Sequence, residues 1–265
     1  MKPVTITTLR ELKQAGQKIT CLTAYDYSFA NLLDRAGLDA VMVGDSLGMT
    51  MQGHASTLPV TIADMAYHCA CVVRGVTRAL IIGDMPFDSY QASPEQAFTN
   101  AAKLMQAGAQ VVKLEGGAPM AETVRFLVER GVPVCGHLGL TPQSVHQLGG
   151  YRVQGREAEA AQRLRDDARQ LQTAGASLLV LEAVPAALAK IISAELEIPT
   201  IGIGAGPDAD GQVLVLQDML GFYPRPSPKF SRNFMQGAES IEAAVKAYVE
   251  AVRGKTFPGP EHSFS

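Results

Sequence analysis

The feature that most constrains this chain is an alternation of eight short apolar runs with longer amphipathic segments. The runs are rich in β-branched residues and have the length of strands that are buried on both faces. In chain order they are KITCLTAYD, LDAVMVGDS, RALIIGDMP, QVVKLEGG, VPVCGHLG, SLLVLEAVP, PTIGIGAG and QVLVLQDML. Strands that alternate with helices form parallel sheets, so the pattern predicts an α/β fold.

Helical patterns lie between most of these runs and have recognisable ends. In SPEQAFTNAAKLMQAGA, Ser93 is the expected N-cap, Pro94 takes the first helical position and Gln96 the third, as in a capping box. Thr61 is the expected cap of TIADMAYHCACVVRGV. The link GPDADG, between the seventh and eighth runs, is too short for a helix, so we expect an irregular unit there.

Eight strands with intervening helices in 265 residues are typical of a (β/α)8 TIM barrel. We therefore predict a single barrel domain over residues 1–265, ending in a short C-terminal tail, KTFPGPEHSFS. The alternative is an open, doubly wound sheet, which usually has fewer strands.

Composition argues against several classes of partner. The formal net charge is −3 with no basic stretch, which makes nucleic acid and membrane surfaces poor candidates. No apolar run approaches the roughly 20 residues of a transmembrane helix, and the first residues lack the apolar centre of a signal peptide. The four cysteines form no CxxC pair. We therefore expect a cytoplasmic protein with reduced thiols.

Polar side chains stand where the predicted strands end. Asp45 and Ser46 follow the second strand, Asp84 ends the third, and Glu115 ends the fourth. The active site of a barrel lies at the C-terminal ends of its strands. Lys113 and Glu115 are two residues apart in one strand, so both point to the same face, which we expect to be the interior. An inward lysine without partners would be costly to bury, so these groups should meet at the barrel mouth.

Three carboxylates at one place repel one another unless a proton or a cation intervenes. Oxygen ligands without histidine or cysteine suit a hard divalent cation, and magnesium prefers one or two carboxylates completed by water and an oxygen-rich substrate. The sequence therefore predicts a magnesium site at Asp45, Asp84 and Glu115, where Lys113 would offset the charge of an anionic ligand. For any one of these acids, the alternative is a helix N-cap.

Two further strand ends carry groups that can transfer protons. Glu182 ends the sixth strand among apolar residues, and desolvation makes a carboxylate a stronger base. Its alternative role is to pair with a nearby basic residue. His137 ends the fifth strand, between the acids and Glu182, where a site role and a core histidine are equal alternatives. Asp26 and Asp218 taken singly favour helix caps.

Two glycine-bearing stretches are less specific. GIGAGPDADG has part of a dinucleotide-binding fingerprint, but its third glycine is misplaced and no helix follows. We assign it to a close approach of the backbone at the barrel mouth. The loop Gln147–Arg156 contains glycines, Arg152 and Arg156, which would suit a mobile cover over an anionic ligand. A merely solvated loop is the equal alternative.

Longer motifs carry a family resemblance. They are TAYDYSFA, VGDSLGM, QGHASTLPVT, GDMPF, VKLEGG, VCGHLGLTPQS, GGYRVQGR, IGIGAG followed by DGQVLV, and FPGPEHSF. Through them the chain resembles the ketopantoate hydroxymethyltransferase family from about Thr23 to its C-terminus. The resemblance implies a barrel related to the phosphoenolpyruvate mutase and isocitrate lyase group.

The resemblance also implies a reaction and an assembly. The reaction is the magnesium-dependent transfer of a one-carbon unit from 5,10-methylenetetrahydrofolate to 3-methyl-2-oxobutanoate, which forms ketopantoate in pantothenate synthesis. The assembly is a homo-oligomer, in that family often a decamer. Two alternatives keep the same acidic site: a magnesium-dependent lyase or mutase acting on another 2-oxo acid, and a non-catalytic 2-oxo-acid binding protein.

Matched motif by motif, the family's functional residues fall on positions that the strand ends already single out. The resemblance implies that Asp45 and Asp84 contact the metal with Glu115 near it, and that Glu182 accepts a proton from C3 of the substrate. We expect the 2-oxo acid to contact Asp45, Ser46, Asp84, Lys113 and His137.

Overall fold

A computed structural model describes residues 2–265 and shows eight parallel strands. They are β1 (Ile19–Thr23), β2 (Ala40–Val43), β3 (Leu80–Asp84), β4 (Val111–Glu115), β5 (Val134–Gly139), β6 (Leu178–Glu182), β7 (Thr200–Ile203) and β8 (Gly211–Leu214). Each strand pairs with its neighbours in chain order, and β8 pairs with β1, where Ile19 lies opposite Gly211. The prediction of a closed barrel is confirmed, and the alternative of an open sheet is wrong.

Helices connect most of the strands. They are α1 (Ile6–Gln14), α2 (Tyr27–Arg35), α3 (Leu47–Thr50), α4 (Ile62–Gly75), α5 (Pro94–Gln106), α6 (Ala121–Glu129), α7 (Ala158–Thr173), α8 (Ala186–Glu195), α9 (Leu216–Leu220) and α10 (Ile241–Arg253). The link from β7 to β8 contains no helix, as its length predicts. Across residues 2–265, no helix is both long enough and apolar enough to cross a membrane.

The helices begin where the sequence places their caps. Thr61 and Asp26 each accept a hydrogen bond from the backbone N–H of the third residue of the helix that follows. Ser93 accepts the N–H of Gln96 in the same way. The side chain of Gln96, however, accepts the N–H of Ala92 at 3.1 Å. The return bond expected of a capping box is therefore displaced by one residue.

The C-terminal helix α10 covers the seam at which the barrel closes. The buried hydroxyl of Tyr248 lies 2.9 Å from the carbonyl of Cys21 in β1 and 3.0 Å from that of Gln212 in β8. Phe234 and Phe257 pack edge-to-face against the Tyr248 ring. One helix thus contacts both strands of the closing pair.

The eighth apolar run folds differently from its prediction. β8 ends at Leu214, and the rest of the run forms α9, of which Asp218 is the third residue. Asp218 therefore does not cap a helix, and that interpretation was wrong. All five residues of α9 are buried. A five-residue helix that is buried on every side has no exposed polar face to give a helical period, so its sequence pattern predicts a continuation of the strand.

One buried acid ties α2 to the start of β3. The carboxylate of Asp34 accepts the backbone N–H groups of Thr77, Arg78 and Ala79. Burial by itself would raise the pKa of Asp34, but these hydrogen bonds outweigh burial and lower that pKa. The folded state therefore favours the charged carboxylate.

We predict that Asp34→Ala lowers the free energy of unfolding by about 2–4 kcal/mol near neutral pH, because three N–H groups lose their acceptor. The pKa of Asp34 is depressed in the folded state, so its contribution is complete above about pH 4 and disappears as the pH falls through the folded pKa. Urea unfolding of parent and variant at neutral pH and near pH 3 measures both effects. The exposed Asp208→Ala is the control, and equal losses in the two variants would contradict the prediction.

Candidate active site

A cavity of about 480 Å³ opens at the C-terminal ends of the strands. One part of its lining, here called the charged wall, comes from β3 to β6 and the turn after β2, and consists of Asp45, Asp84, Lys113, Glu115, His137 and Glu182. Another part, the apolar wall, comes from β7, β8 and the loop after α9, and consists of Ile203, Val213, Leu214, Val215, Pro226 and Phe230. The structure thus brings together every site residue that the sequence singles out, including Ser46.

Strand register places Lys113 beside Asp84. The two residues are partners across β3 and β4, and Lys113 Nζ lies 2.7 Å from Asp84 Oδ1. The other oxygen, Asp84 Oδ2, accepts the backbone N–H of Asp45 at 3.2 Å. Burial alone would lower the pKa of Lys113, but Asp84, Glu115 and Asp45 raise it. Lys113 is therefore a fixed positive charge inside the barrel.

Asp45 and Asp84 form the part of the charged wall that is least compensated. Burial, together with the charges of Asp84 and Glu115, raises the pKa of Asp45 well above its usual range. Burial also raises the pKa of Asp84. Asp84 Oδ1 is buried without a donor in hydrogen-bond geometry, although the Lys113 ammonium pairs with it by charge. These two carboxylates need a further positive group.

Glu115, in contrast, has donors at both carboxylate oxygens. Its Oε2 accepts the backbone N–H of Gln143 at 3.0 Å. Its Oε1 lies 3.3 Å from His137 Nδ1 and 3.7 Å from Lys113 Nζ. Burial alone would raise the pKa of Glu115, but the interactions with His137, Lys113 and Gln143 lower it. Glu115 is therefore an anion that the protein itself stabilises.

His137 connects Glu115 to Glu182. Its Nε2 lies 3.2 Å from Glu182 Oε2, on the side away from Glu115. The Nε2 atom is buried without a partner in hydrogen-bond geometry, so the contact with Glu182 is a close charge pair. Burial and Lys113 lower the pKa of His137, but the interactions with Glu115 and Glu182 outweigh them and raise it to about 9. His137 therefore lies between the acids and Glu182, as expected from strand order. Glu182 lines the cavity and also pairs with a basic residue, so both of its expected placements occur together.

Ser46 faces the cavity without capping a helix. Its Oγ lies 2.8 Å from the hydroxyl of Tyr25, and its side chain makes no capping bond to α3. A Cβ atom at Gly44 would approach Ser46 Oγ to 2.9 Å. Glycine at this strand end therefore leaves room for the serine hydroxyl beside Asp45.

The charged wall fits one divalent cation. It contains four carboxyl groups but only two basic side chains, Lys113 and His137, so acids outnumber bases. Among residues 2–265, no three His, Cys, Asp or Glu side chains are grouped as ligands of a single ion. Two carboxylates completed by water and ligand oxygens are what magnesium prefers. Asp45 and Asp84, whose pKa values are raised, could supply these carboxylates, whereas the partners of Glu115 already lower its pKa.

Gln143 organises the charged wall, and sequence reasoning missed it. Its Nε2 donates to Asp45 Oδ2 and to the Met85 carbonyl, each at 2.9 Å, while its Oε1 accepts the Tyr90 hydroxyl at 2.6 Å. Gln143 lies shortly after β5, whereas its partners Asp45, Met85 and Tyr90 lie much earlier in the chain. No strand-end pattern marks it, and it appeared only within the family motif VCGHLGLTPQS.

The two glycine-bearing stretches contribute in ways that the sequence did not show. Phe230 and Phe264 occupy the space that a Cβ atom at Gly204 would need. The group that approaches the backbone closely here is therefore an aromatic side chain of the protein itself. From the loop Gln147–Arg156, Tyr151 lines the cavity, whereas neither arginine does. Whether this loop moves stays a prediction.

Structures of similar shape define the class of fold. A 2,3-dimethylmalate lyase, described as a member of the PEP mutase/isocitrate lyase superfamily, has a TM-score of 0.58 and 19% identity, covering 81% of this chain and 81% of that chain. A phosphonopyruvate hydrolase in complex with oxalate and Mg²⁺ has a TM-score of 0.60 and 12% identity, covering 79% of this chain and 80% of that chain. Fold and site thus define a (β/α)8 barrel, similar in shape to these two enzymes, with an acid-rich mouth.

Sequence comparison is more specific. The family model described as ketopantoate hydroxymethyltransferase matches residues 3–260. A 3-methyl-2-oxobutanoate hydroxymethyltransferase of Methylobacillus flagellatus is 65% identical over 257 residues, which are 97% of this chain and 98% of that protein. This chain belongs to the ketopantoate hydroxymethyltransferase family, and the resemblance seen in its motifs is confirmed.

We predict that Gln143→Leu lowers the free energy of unfolding by about 2–4 kcal/mol, because the buried Asp45 carboxyl and Met85 carbonyl lose a donor and the Tyr90 hydroxyl loses its shortest hydrogen bond. Tyr90→Phe should cost less, about 1–2 kcal/mol, and the double variant should lose less than the sum of the single losses. Urea unfolding measures all three. Gln147→Leu, at an exposed position nearby, is the control. Strict additivity would mean that Gln143 and Tyr90 are not coupled.

Proposed function

We propose that this chain transfers a hydroxymethyl unit from 5,10-methylenetetrahydrofolate to 3-methyl-2-oxobutanoate and so forms ketopantoate for pantothenate biosynthesis. The observation that carries the proposal is membership of the family at 65% identity, in a chain whose predicted site residues all line one cavity. The relative from Methylobacillus flagellatus is named for transfer to this 2-oxo acid.

The charged wall suits the 2-oxo acid substrate. Lys113 offers a positive charge to its carboxylate, and the Ser46 hydroxyl offers a hydrogen bond beside it. Asp45 and Asp84 would hold magnesium, and the likeness in fold to a hydrolase solved with oxalate and Mg²⁺ is in keeping with that. The bound ion would supply positive charge to the keto oxygen as the enolate develops. Glu115 would act on the metal through a water molecule rather than directly, because its own oxygens already have donors.

Glu182 is the proposed base that removes the proton from C3. It lies on β6, away from the acids of β2 to β4, and its Oε2 lies 3.2 Å from His137 Nε2. Once the proton has moved to Glu182, the enolate carbon attacks the methylene carbon of the folate, and one carbon–nitrogen bond of that methylene breaks, with the nitrogen keeping the electron pair and taking up the proton. In a later hydrolytic step water forms the C–OH bond while the second carbon–nitrogen bond breaks and its nitrogen takes a proton from the water, which releases ketopantoate and tetrahydrofolate.

Two alternatives from the sequence are less well supported. A lyase or mutase of this barrel group typically uses a further catalytic loop that often bears a cysteine, and among the described residues no cysteine lines the cavity. A non-catalytic 2-oxo-acid binding protein would have no need of Glu182, which is present at the cavity. Both alternatives predict no carbon transfer from the folate.

The proposal includes two expectations about the setting of the reaction. The family resemblance implies a homo-oligomer, often a decamer. The absence of paired cysteines among the described residues agrees with a reducing, cytoplasmic location. Light scattering of the purified protein would test the first expectation.

We predict that Asp45→Asn and Asp84→Asn each weaken magnesium-dependent binding of 3-methyl-2-oxobutanoate by at least about 100-fold, because each removes an oxygen anion from the metal site. Glu115→Gln should do less harm. Calorimetric titration with the 2-oxo acid in the presence of Mg²⁺ measures the affinity, and circular dichroism checks the fold. Asp208→Asn serves as the control. Near-parental affinity in either aspartate variant would remove that residue from the metal site.

We predict that Glu182→Gln keeps shape and volume but slows enolisation about 10²- to 10⁴-fold, which corresponds to roughly 3–5 kcal/mol of barrier. The measurement is exchange of the C3 proton of 3-methyl-2-oxobutanoate with Mg²⁺ and without a transferable folate carbon. Calorimetry should show that the substrate still binds, and the exposed Glu197→Gln is the control. If the variant exchanges at the parental rate but fails to turn over, Glu182 serves the folate half of the reaction. If exchange and turnover are both normal, the base is another residue.

A further inference from the structure

Asp218 is a buried acid that the proposed chemistry does not use. Its side chain lines the cavity from α9, only 7% of the residue is exposed, and Oδ1 is fully buried. Within residues 2–265, Oδ1 has no hydrogen-bond donor and no Lys, Arg or His pairs with the carboxylate. A carboxylate is costly to bury without a donor, so this group is suited to a ligand that brings donors of its own.

Asp218 lies beside the apolar wall and outside the charged wall. It follows β8, whereas the charged wall comes from β3 to β6 and the turn after β2. Burial alone raises the pKa of Asp218 to about 6, and none of the site's other charged groups contributes to that shift. The side chain therefore does not belong to the cluster around Asp84. The hydroxyl of Tyr223, another residue that lines the cavity, is likewise buried without a partner.

The cavity has room for more than the 2-oxo acid. A volume of about 480 Å³ lies within the range of roughly 300–1,000 Å³ that holds drug-sized ligands, and a five-carbon acid fills only part of it. The charged wall accounts for that acid. The remaining space is bounded by the apolar wall together with Asp218, Tyr223 and Arg225, and Asp218 is the one acid there. Its occupant should be flat, largely apolar and equipped with N–H donors.

We propose that Asp218 binds the pterin ring of 5,10-methylenetetrahydrofolate by accepting hydrogen bonds from the ring N–H and the adjacent amino group. This inference rests on the proposed function, which makes that molecule the second substrate. The two donors of a pterin lie side by side, as the N–H groups of a guanidinium do, and a carboxylate accepts such a pair with both oxygens. The apolar wall covers the ring faces, and the free hydroxyl of Tyr223 is available to the ring's polar edge.

The test is Asp218→Asn in the full-length protein. The amide keeps the size of the side chain but faces the ligand's donors with an NH₂ group of its own. We expect the KM for 5,10-methylenetetrahydrofolate to rise about 10- to 100-fold and the binding of tetrahydrofolate in equilibrium dialysis to weaken equally. C3 proton exchange of 3-methyl-2-oxobutanoate, which needs no folate, should stay within about twofold. Asp208→Asn should leave the folate KM at its parental value.

Each other outcome has a definite meaning. Unchanged folate KM and unchanged dialysis would overturn the proposal, and so would loss of exchange in parallel with loss of folate binding. If Asp218→Asn fails to fold, Asp218→Leu, an apolar replacement of similar size, provides the same measurements. If the parent protein itself neither exchanges nor transfers carbon, the proposed function fails, while dialysis of tetrahydrofolate against parent and variant still reports on Asp218.

Discussion

The interaction on which the site depends is the buried charge of Lys113. An ammonium group in the interior of a barrel is stable only beside anions, and Asp84 and Glu115 supply them at 2.7 Å and 3.7 Å. The lysine in turn limits the repulsion between carboxylates that would otherwise be forced together. Acidic side chains still outnumber basic ones in the charged wall, so Asp45 and Asp84 are available to bind a further cation. One lysine therefore makes the acidic site possible without neutralising it.

Strand register places the charged side chains next to one another around the barrel. Glu115 lies opposite His137 across β4 and β5, and Gly139 lies opposite Glu182 across β5 and β6. Because neighbouring strands are parallel and in fixed register, side chains distant in sequence are separated by single strand spacings. His137 is therefore able to contact the stabilised Glu115 with one nitrogen and the proposed base with the other. A one-residue slip would turn these groups out of the barrel.

The two walls of the cavity would each bind one substrate of the proposed two-substrate reaction. The charged wall offers a metal site, a cation and a base to a small anionic 2-oxo acid. The apolar wall offers contact area to a larger, flat molecule, and Asp218 and the Tyr223 hydroxyl offer polar contacts beside it. Apolar surroundings strengthen each electrostatic interaction within the cavity, because little water is left to screen it. The proposed carbon transfer would take place where the two walls meet.

The sequence by itself determined the strand pattern, the barrel and the set of acids at strand ends, since apolar periodicity and chain order are local properties. It also predicted that Lys113 and Glu115 share one face, because side chains alternate along a strand. Only the tertiary structure decided the places of Gln143 and Tyr90, whose partners lie on other loops, and the helical form of α9, which is buried on every side. It likewise decided that the partners of Glu115 outweigh its burial and lower its pKa, whereas the partners of Asp84 do not and its pKa is raised. Such distinctions depend on distances and burial across the barrel mouth, and those exist only once the chain has closed.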